Sequence, residues 1–345
     1  MKLNRLARKI RTAKAIISAH LLNRRVPIMA NLLLTSRCNL RCFYCYVNVE
    51  NRKDADIPHE KIIKTVNDLY ALGTRVFVLL GGEPLVRKDI GQIIRHIHSL
   101  GAVCELITNG LLVPKKIDQL RELDSVCVSL DGLRKSHDLN RGRGSYDAAV
   151  KAIDTLLAAG VPTRIKAVIT QNNKNDVHAI HDFAKSKGIM VTMSLACTYE
   201  DREYNQENSW LLPDEETRFY EQVTELKRIS PNIGYSSRAL DYVAGWPYSK
   251  KHIVNRRGTN NPQNYPLIPC LRQDRSLYMD VDGCIYPCAN MWGKGGINLF
   301  ELGAEKAWKQ FNSFNCSSCA SIPDIDITLL FSLFLENWFR AARFL

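Results

Sequence analysis

The sequence lacks any apolar run of the about 20 residues that a membrane-spanning helix needs. It also lacks an export signal: the N-terminus is charged, but no continuous apolar core and small-residue cleavage site follow. A cytoplasmic protein is the expectation. Low-complexity tracts and internal repeats are absent, which excludes disordered and solenoid classes. Acidic residues are missing from the start of the chain, the first being Glu50. Over the same stretch stand Lys2, Arg5, Arg8, Lys9, Arg11, Lys14, Arg24 and Arg25. Most of the net charge of +12 is therefore an N-terminal feature, and no nucleic-acid partner is expected.

What is present is a 345-residue folded composition, 46% apolar, with eleven cysteines. In a reducing compartment disulfides are rare, so clustered cysteines point to metal or redox chemistry. Three lie close together near the N-terminus and five in the last quarter. Cys104 and Cys127 alternate with apolar residues in expected strands and read as core. Cys197 ends a strand and is a candidate to face a cavity.

From residue 30 short apolar strands alternate with amphipathic helices. Strands are expected at 30–34, 75–80, 103–108, 125–130, 163–170 and 190–195. Helices are expected at 59–72, 90–100, 115–123, 146–159 and 176–187. Six βα units predict an α/β fold, a partial (β/α)6 TIM-like barrel with chemistry at the carboxyl ends of its strands. The expected organisation is a basic amphipathic helix over 1–29, the barrel over 30–196 and a connector lining the substrate over 197–265. A small cysteine-rich C-terminal domain over 266–321 and an apolar segment over 322–345 follow. One helix is expected in the connector, at 213–228.

Cys38, Cys42 and Cys45 form C-x3-C-x2-C directly after the first strand. Three thiolates on one tight loop suit three irons of a [4Fe–4S] cube, leaving the fourth iron open to a small chelating molecule. Zinc would want a fourth ligand, and no cysteine or histidine lies near.

With Tyr44 before the third cysteine, this segment resembles the signature of the radical S-adenosylmethionine superfamily. The resemblance covers about residues 30–195. It implies an oxygen-sensitive enzyme, an oxidoreductase or transferase. In it S-adenosylmethionine chelates the open iron and is cleaved to a 5′-deoxyadenosyl radical that abstracts a substrate hydrogen. Gly81-Gly82-Glu83-Pro84 resembles the segment that binds the methionine amino group; glycines allow close backbone approach, and a carboxylate suits an ammonium. Asn109 and the pair Ser129 and Asp131 resemble strand-end contacts to ribose and methionine. Arg141 matches an Arg that pairs with the methionine carboxylate, with Arg143 an alternative. Asn173, or Asn172, matches a ribose or adenine contact.

Cys270, Cys288, Cys316 and Cys319 resemble the auxiliary-cluster domain called twitch, a short form of SPASM. The resemblance implies a second [4Fe–4S] cluster with no open iron, and zinc is the alternative. Cys284 is surplus, either a packed residue or a substitute for Cys288. A flavodoxin or ferredoxin-type reductant is implied as partner.

The segment 1–29 carries Leu3, Leu6, Ile10, Ala13, Ile17 and Leu21 at helical spacing opposite its basic residues. The tail 325–345 is apolar and aromatic. Both either pack on the barrel or form a dimer contact, or they touch a membrane interface. The second case would make the protein peripheral on the inner membrane face, with a lipid or membrane-bound substrate. A ribosomal peptide or protein side chain, or a sugar or aminocyclitol, is the alternative substrate. A non-enzymatic iron–sulfur or zinc scaffold is the rival class.

Overall fold

The computed structural model describes residues 2–49, 52, 54–196, 211–250, 252–311 and 314–344. Cys197 lies outside the described residues. The chain begins with α1 (Lys2–Leu21) and β1 (Met29–Leu33). Then come α2 (His59–Ala71), β2 (Val76–Leu80), α3 (Ile90–Ser99), β3 (Val103–Thr108), α4 (Val113–Leu120) and β4 (Ser125–Ser129). The series continues through α5 (Arg134–Arg141), α6 (Ser145–Ala158), β5 (Thr163–Ile169), α7 (Val177–Ser186) and β6 (Met190–Leu195). Strands β1 to β6 pair in sequence order, all parallel. This is the expected six-unit partial barrel. Strand β2 is buried throughout, as a parallel strand covered on both faces should be. Along β5 burial alternates, and the half-buried positions Arg164, Lys166 and Val168 share one face.

The connector contributes α8 (Pro213–Ile229) and α9 (Ser237–Ala244). Beyond it come β7 (Ile253–Val254), α10 (Arg272–Arg275), β8 (Ser276–Met279), β9 (Cys284–Tyr286) and β10 (Ile297–Asn298). The chain ends with α11 (Leu299–Leu302), α12 (Ala304–Gln310), β11 (Ser318–Cys319), α13 (Ile322–Phe331) and α14 (Leu335–Phe344). Strand β8 lies parallel beside β1, and β9 and β10 extend the sheet antiparallel to nine strands. The cysteine-rich region is thus hydrogen-bonded to the barrel's first strand.

Helix α1 packs on the barrel by its polar side. Its buried face is Arg8, Thr12, Ile16 and Ala19, whereas Leu6, Ile10, Ile17 and Leu21 are exposed. The reason is Asp124, a buried carboxylate that accepts from Arg8 Nη2 at 2.7 Å, from His98 and from the Cys104 N–H. That ion pair and two Arg5 bonds to the Arg121 and Leu123 carbonyls fix the helix by its polar side. Ile16 and Ala19 form a small second core with Ile28, Leu330 and Phe331, so the two ends of the chain pack together. Much of the apolar tail is core; Leu335 and Phe339 on α14 are exposed. Among the described residues no helix is long and apolar enough to cross a membrane.

Candidate functional site

The loop after β1 carries Cys38, Cys42 and Cys45 over the mouth of the barrel. Its course is set by a backbone crossing with the end of β2. Gly82 N–H donates to the Thr35 carbonyl at 2.7 Å, and Glu83 N–H to the Arg37 carbonyl at 2.8 Å. A Cβ on Gly82 would stand 2.3 Å from the Arg37 oxygen, so the strand end approaches this closely only as glycine. Arg37 and Thr35 in turn hold Asp56.

The three thiols line a cavity of about 540 Å³. Gly81, Gly82, Glu83, Asn109, Ser129, Arg141 and Tyr44 line it too. The far wall comes from the C-terminal region: Tyr278, Asn290 next but one to Cys288, and Ala320 to Asp324 after Cys319. Sequence reasoning missed that wall and Lys166 and Ser194 on the barrel's inner face; it expected the connector to line the cavity but did not name Glu216, Tyr220 and Lys250, which do. Lys250 stands over the Tyr220 ring and donates to the Val243 carbonyl; burial lowers its pKa to about 8.

Glu83 is buried, and the protein supplies three donors to its carboxylate, which leaves acceptor capacity toward the cavity it lines. Oε1 accepts from Leu85 N–H at 3.0 Å and Thr108 Oγ1 at 2.8 Å, and Oε2 accepts from Asn109 N–H at 2.8 Å. Burial raises its pKa to about 7 against these donors. Asn109 also points its amide at Asn39 Oδ1, 2.7 Å away, and toward Cys38 Sγ at 3.8 Å. The Leu40 N–H reaches the same sulfur at 3.4 Å.

Two residues expected to touch the cofactor, Asp131 and Asn173, are engaged by the protein itself. Asp131 does not line the cavity. Its carboxylate takes two bonds from Arg141, at 2.7 and 3.0 Å, one from the Tyr44 hydroxyl and one from Val168 N–H at 3.0 Å. It is the buried anchor behind the site. Asn173 is buried with its amide spent inside the fold. It accepts from Thr170 N–H at 2.7 Å and donates to the Asp131 and Val168 carbonyls. Asn172 bonds Asn140, and neither asparagine lines the cavity. Arg143 is exposed and away from it. Arg141 remains at the cavity wall with part of its fork given to Asp131.

In the C-terminal group, Cys270 acts on Cys288 and Cys319, Cys316 on Cys270 and Cys319, and Cys319 on Cys288. The Cys270 N–H donates to the Ser317 carbonyl at 2.7 Å, which fixes the first of them beside the C-x2-C turn. Cys284 stands apart, acted on by Asp282, Asp280 and Tyr286. Burial raises the thiol pKa to about 11 at Cys38 and about 12 at Cys42 and Cys270. Taking up iron therefore means releasing protons from these sites. Among the described residues no three such side chains form a ready site for a single ion. Thiolates that hold a four-iron cube stand apart around it, so both groups fit a cluster by donor set and by the N–H donors aimed at their sulfurs.

The Fe-coproporphyrin III synthase of Methanosarcina barkeri is 28% identical over 259 residues, 73% of this chain and 64% of that protein. The mitochondrial GTP 3′,8-cyclase of Arabidopsis thaliana is 36% identical over 178 residues, 48% of this chain and 45% of that protein. The matches thus span less than two thirds of these relatives. Among solved structures, Streptococcus suis SuiB bound to S-adenosylmethionine superposes with a TM-score of 0.64 at 18% identity, over 86% of this chain and 69% of that one. Native anSMEcpe with bound AdoMet gives 0.61 at 20%, over 82% and 81%. These two share the fold. Residues 32–184 match the description Radical SAM superfamily, which implies a [4Fe–4S] cluster and S-adenosylmethionine. Residues 32–184 thus form a radical SAM domain, and a cysteine-rich C-terminal part follows it.

Proposed function

We propose that this protein cleaves S-adenosylmethionine at a cluster held by Cys38, Cys42 and Cys45 and abstracts hydrogen from a substrate in the adjoining cavity. The observation that carries it is the shared cavity: the cysteine loop forms one wall, and the segments after Cys288 and Cys319 form the other. When bound, the cluster and S-adenosylmethionine supply one-electron reduction and hydrogen-atom abstraction. The chain's own residues hold and shield. Glu83 meets the ligand's ammonium, Arg141 its carboxylate, and Asn109 and Ser129 the strand-end contacts. Cys270, Cys288, Cys316 and Cys319 hold a second cluster, and a flavodoxin or ferredoxin-type protein supplies electrons.

The substrate is membrane-associated in the version that the surface supports best. Leu6, Ile10, Ile17 and Leu21 make an exposed apolar stripe on α1, and exposed Arg11 and Lys14 stand on the same helix. A stripe of this kind lies in an anionic membrane interface. A peptide substrate is the second version, supported by the similar folds of SuiB bound to precursor peptide SuiA and of anSMEcpe with a Kp18Cys peptide.

The test is release of 5′-deoxyadenosine by anaerobically reconstituted protein with dithionite, against lipid and water-soluble extracts. Cleavage is expected in wild type and absent in Cys38→Ala; a Cys38→Ala protein that still cleaves would sink the assignment. Stimulation by lipid alone, lost with Ile10→Asp/Ile17→Asp, supports the membrane version. Stimulation by the soluble extract alone moves the substrate to peptides or sugars.

Glu83 sets a pH dependence. Its folded pKa of about 7 lies above the ordinary 4.5. The ligand-free protein therefore has this group's stability in full below about pH 4.5 and loses it as pH rises through 7. An ammonium placed against Glu83 favours the carboxylate. Affinity for S-adenosylmethionine should therefore climb from pH 5.5 to about 7, nearly tenfold per unit at the acid end. It should fall again above about 8, where a ligand α-amino group loses its proton. Isotherms at stepped pH measure this. An acid limb that persists unchanged in Glu83→Gln would refute it.

A further inference from the structure

Arg272 opens α10 two residues after Cys270 and is 1% exposed, the largest of the fully buried side chains. Its Nε lies 3.1 Å from Asp324 Oδ1, yet neither Nε nor Nη2 has a hydrogen-bond acceptor. Nη1 reaches only the Met29 sulfur, at 4.0 Å, and the guanidinium stands 5.4 Å from the Tyr278 ring centre. A guanidinium stripped of water with unused N–H groups is costly unless something accepts from it. The titratable groups nearest in effect to it are Asp324, then Tyr278, Cys288 and Cys270. Two of these four are C-terminal cysteines.

We propose that Arg272 is a positioning and tuning residue for the group held by Cys270, Cys288, Cys316 and Cys319. Its free N–H groups donate to sulfur there and raise that group's reduction potential. This rests on the reading that these cysteines hold an iron–sulfur cluster. Reduction adds one negative charge to a cluster already anionic. A buried cation and N–H···S bonds stabilise the more negative state, so they draw the electron in. Asp324 acts in the opposite sense. It holds the guanidinium in place and lines the substrate cavity, but its own charge repels the incoming electron. The pair spans the space between cavity and cysteines, so it sets how readily an electron leaves the substrate for the second site.

The experiment uses the full chain with Cys38→Ala, Cys42→Ala and Cys45→Ala, so that the C-terminal site alone can carry a cluster. After anaerobic reconstitution, iron and sulfide are counted and the cluster is titrated by electron paramagnetic resonance. About four irons per chain are expected. Arg272→Gln should shift the oxidised-to-reduced ratio at fixed poise at least tenfold toward oxidised, about 59 mV downward for one electron. Asp324→Asn, which keeps the guanidinium, should shift it upward. Unchanged potentials in both variants at normal iron content would overturn the role of Arg272 and leave the cluster standing. A chain that takes up zinc or no iron would overturn both. Should Arg272→Gln fail to fold, Arg272→Lys decides: it keeps the charge but loses the guanidinium fork, so the potential should fall by a smaller step, and an unchanged potential would overturn the donation to sulfur.

Discussion

Asp131→Ala is expected to cost about 3–5 kcal/mol of stability, the size seen when one partner of a buried ion pair is removed. The carboxylate is wholly buried, and it is the common acceptor for Arg141, the Tyr44 hydroxyl and the Val168 N–H. Its removal leaves Arg141 a buried charge without its acceptor and orphans two further donors. Burial alone would raise the Asp131 pKa, but the Arg141 charge and hydrogen bonds outweigh it and hold the carboxyl below the ordinary range. Its stabilisation is therefore present above about pH 3.9 and lost as pH falls through the lowered value. Urea midpoints of the ligand-free protein at pH 7 measure the effect, and a loss under about 1 kcal/mol would contradict it. Because Tyr44 sits in the cysteine loop, the variant should also retain less iron at the first site.

Gly82→Ala should disable the first cluster without touching a cysteine. The added methyl would meet the Arg37 carbonyl carbon at 2.6 Å, its oxygen at 2.3 Å and the Ser36 oxygen at 2.8 Å. All three are backbone atoms and none can rotate aside, so the loop that carries Cys38 has to move. A shift of about 1 Å at a reacting centre costs roughly 100-fold in rate. We expect that loss in 5′-deoxyadenosine release, with iron falling at the first site alone. Gly188→Ala is the control. It has a positive φ of 67° but nothing within 4 Å, so backbone strain is its only cost. Gly82→Ala with wild-type iron and rate would mean that the crossing gives way more easily than its packing implies.

The barrel was legible because each of its strands is a short apolar run between turn residues. The bounds expected for β3 and β6 match those observed, and the other four strands differ by a residue at one end or both. Long-range polar pairing was not legible. Periodicity picked the most apolar face of α1, whereas Arg8 turns the helix toward Asp124, 116 residues away. Nothing local announces such a partner. Asn173 was chosen by its place after β5, but placement does not say which way an amide faces. Lys166 did leave a signal. In Thr-Arg-Ile-Lys-Ala-Val-Ile the charged residues fall at alternate positions of an otherwise apolar strand, which marks them as facing one side of the sheet, here the barrel interior. The pairing of β8 with β1 left none, because the four residues of β8 match a neighbour far back in the chain.

That pairing has a consequence for synthesis. Strand β1 leaves the ribosome well before β8, which follows it by roughly 240 residues. At about 5–20 residues per second, β1 waits about 12–50 s with one edge open. An open, apolar parallel edge is what neighbouring nascent chains add to. Slow translation or crowded expression should therefore aggregate this protein before its last cysteines exist, however well the finished molecule holds together.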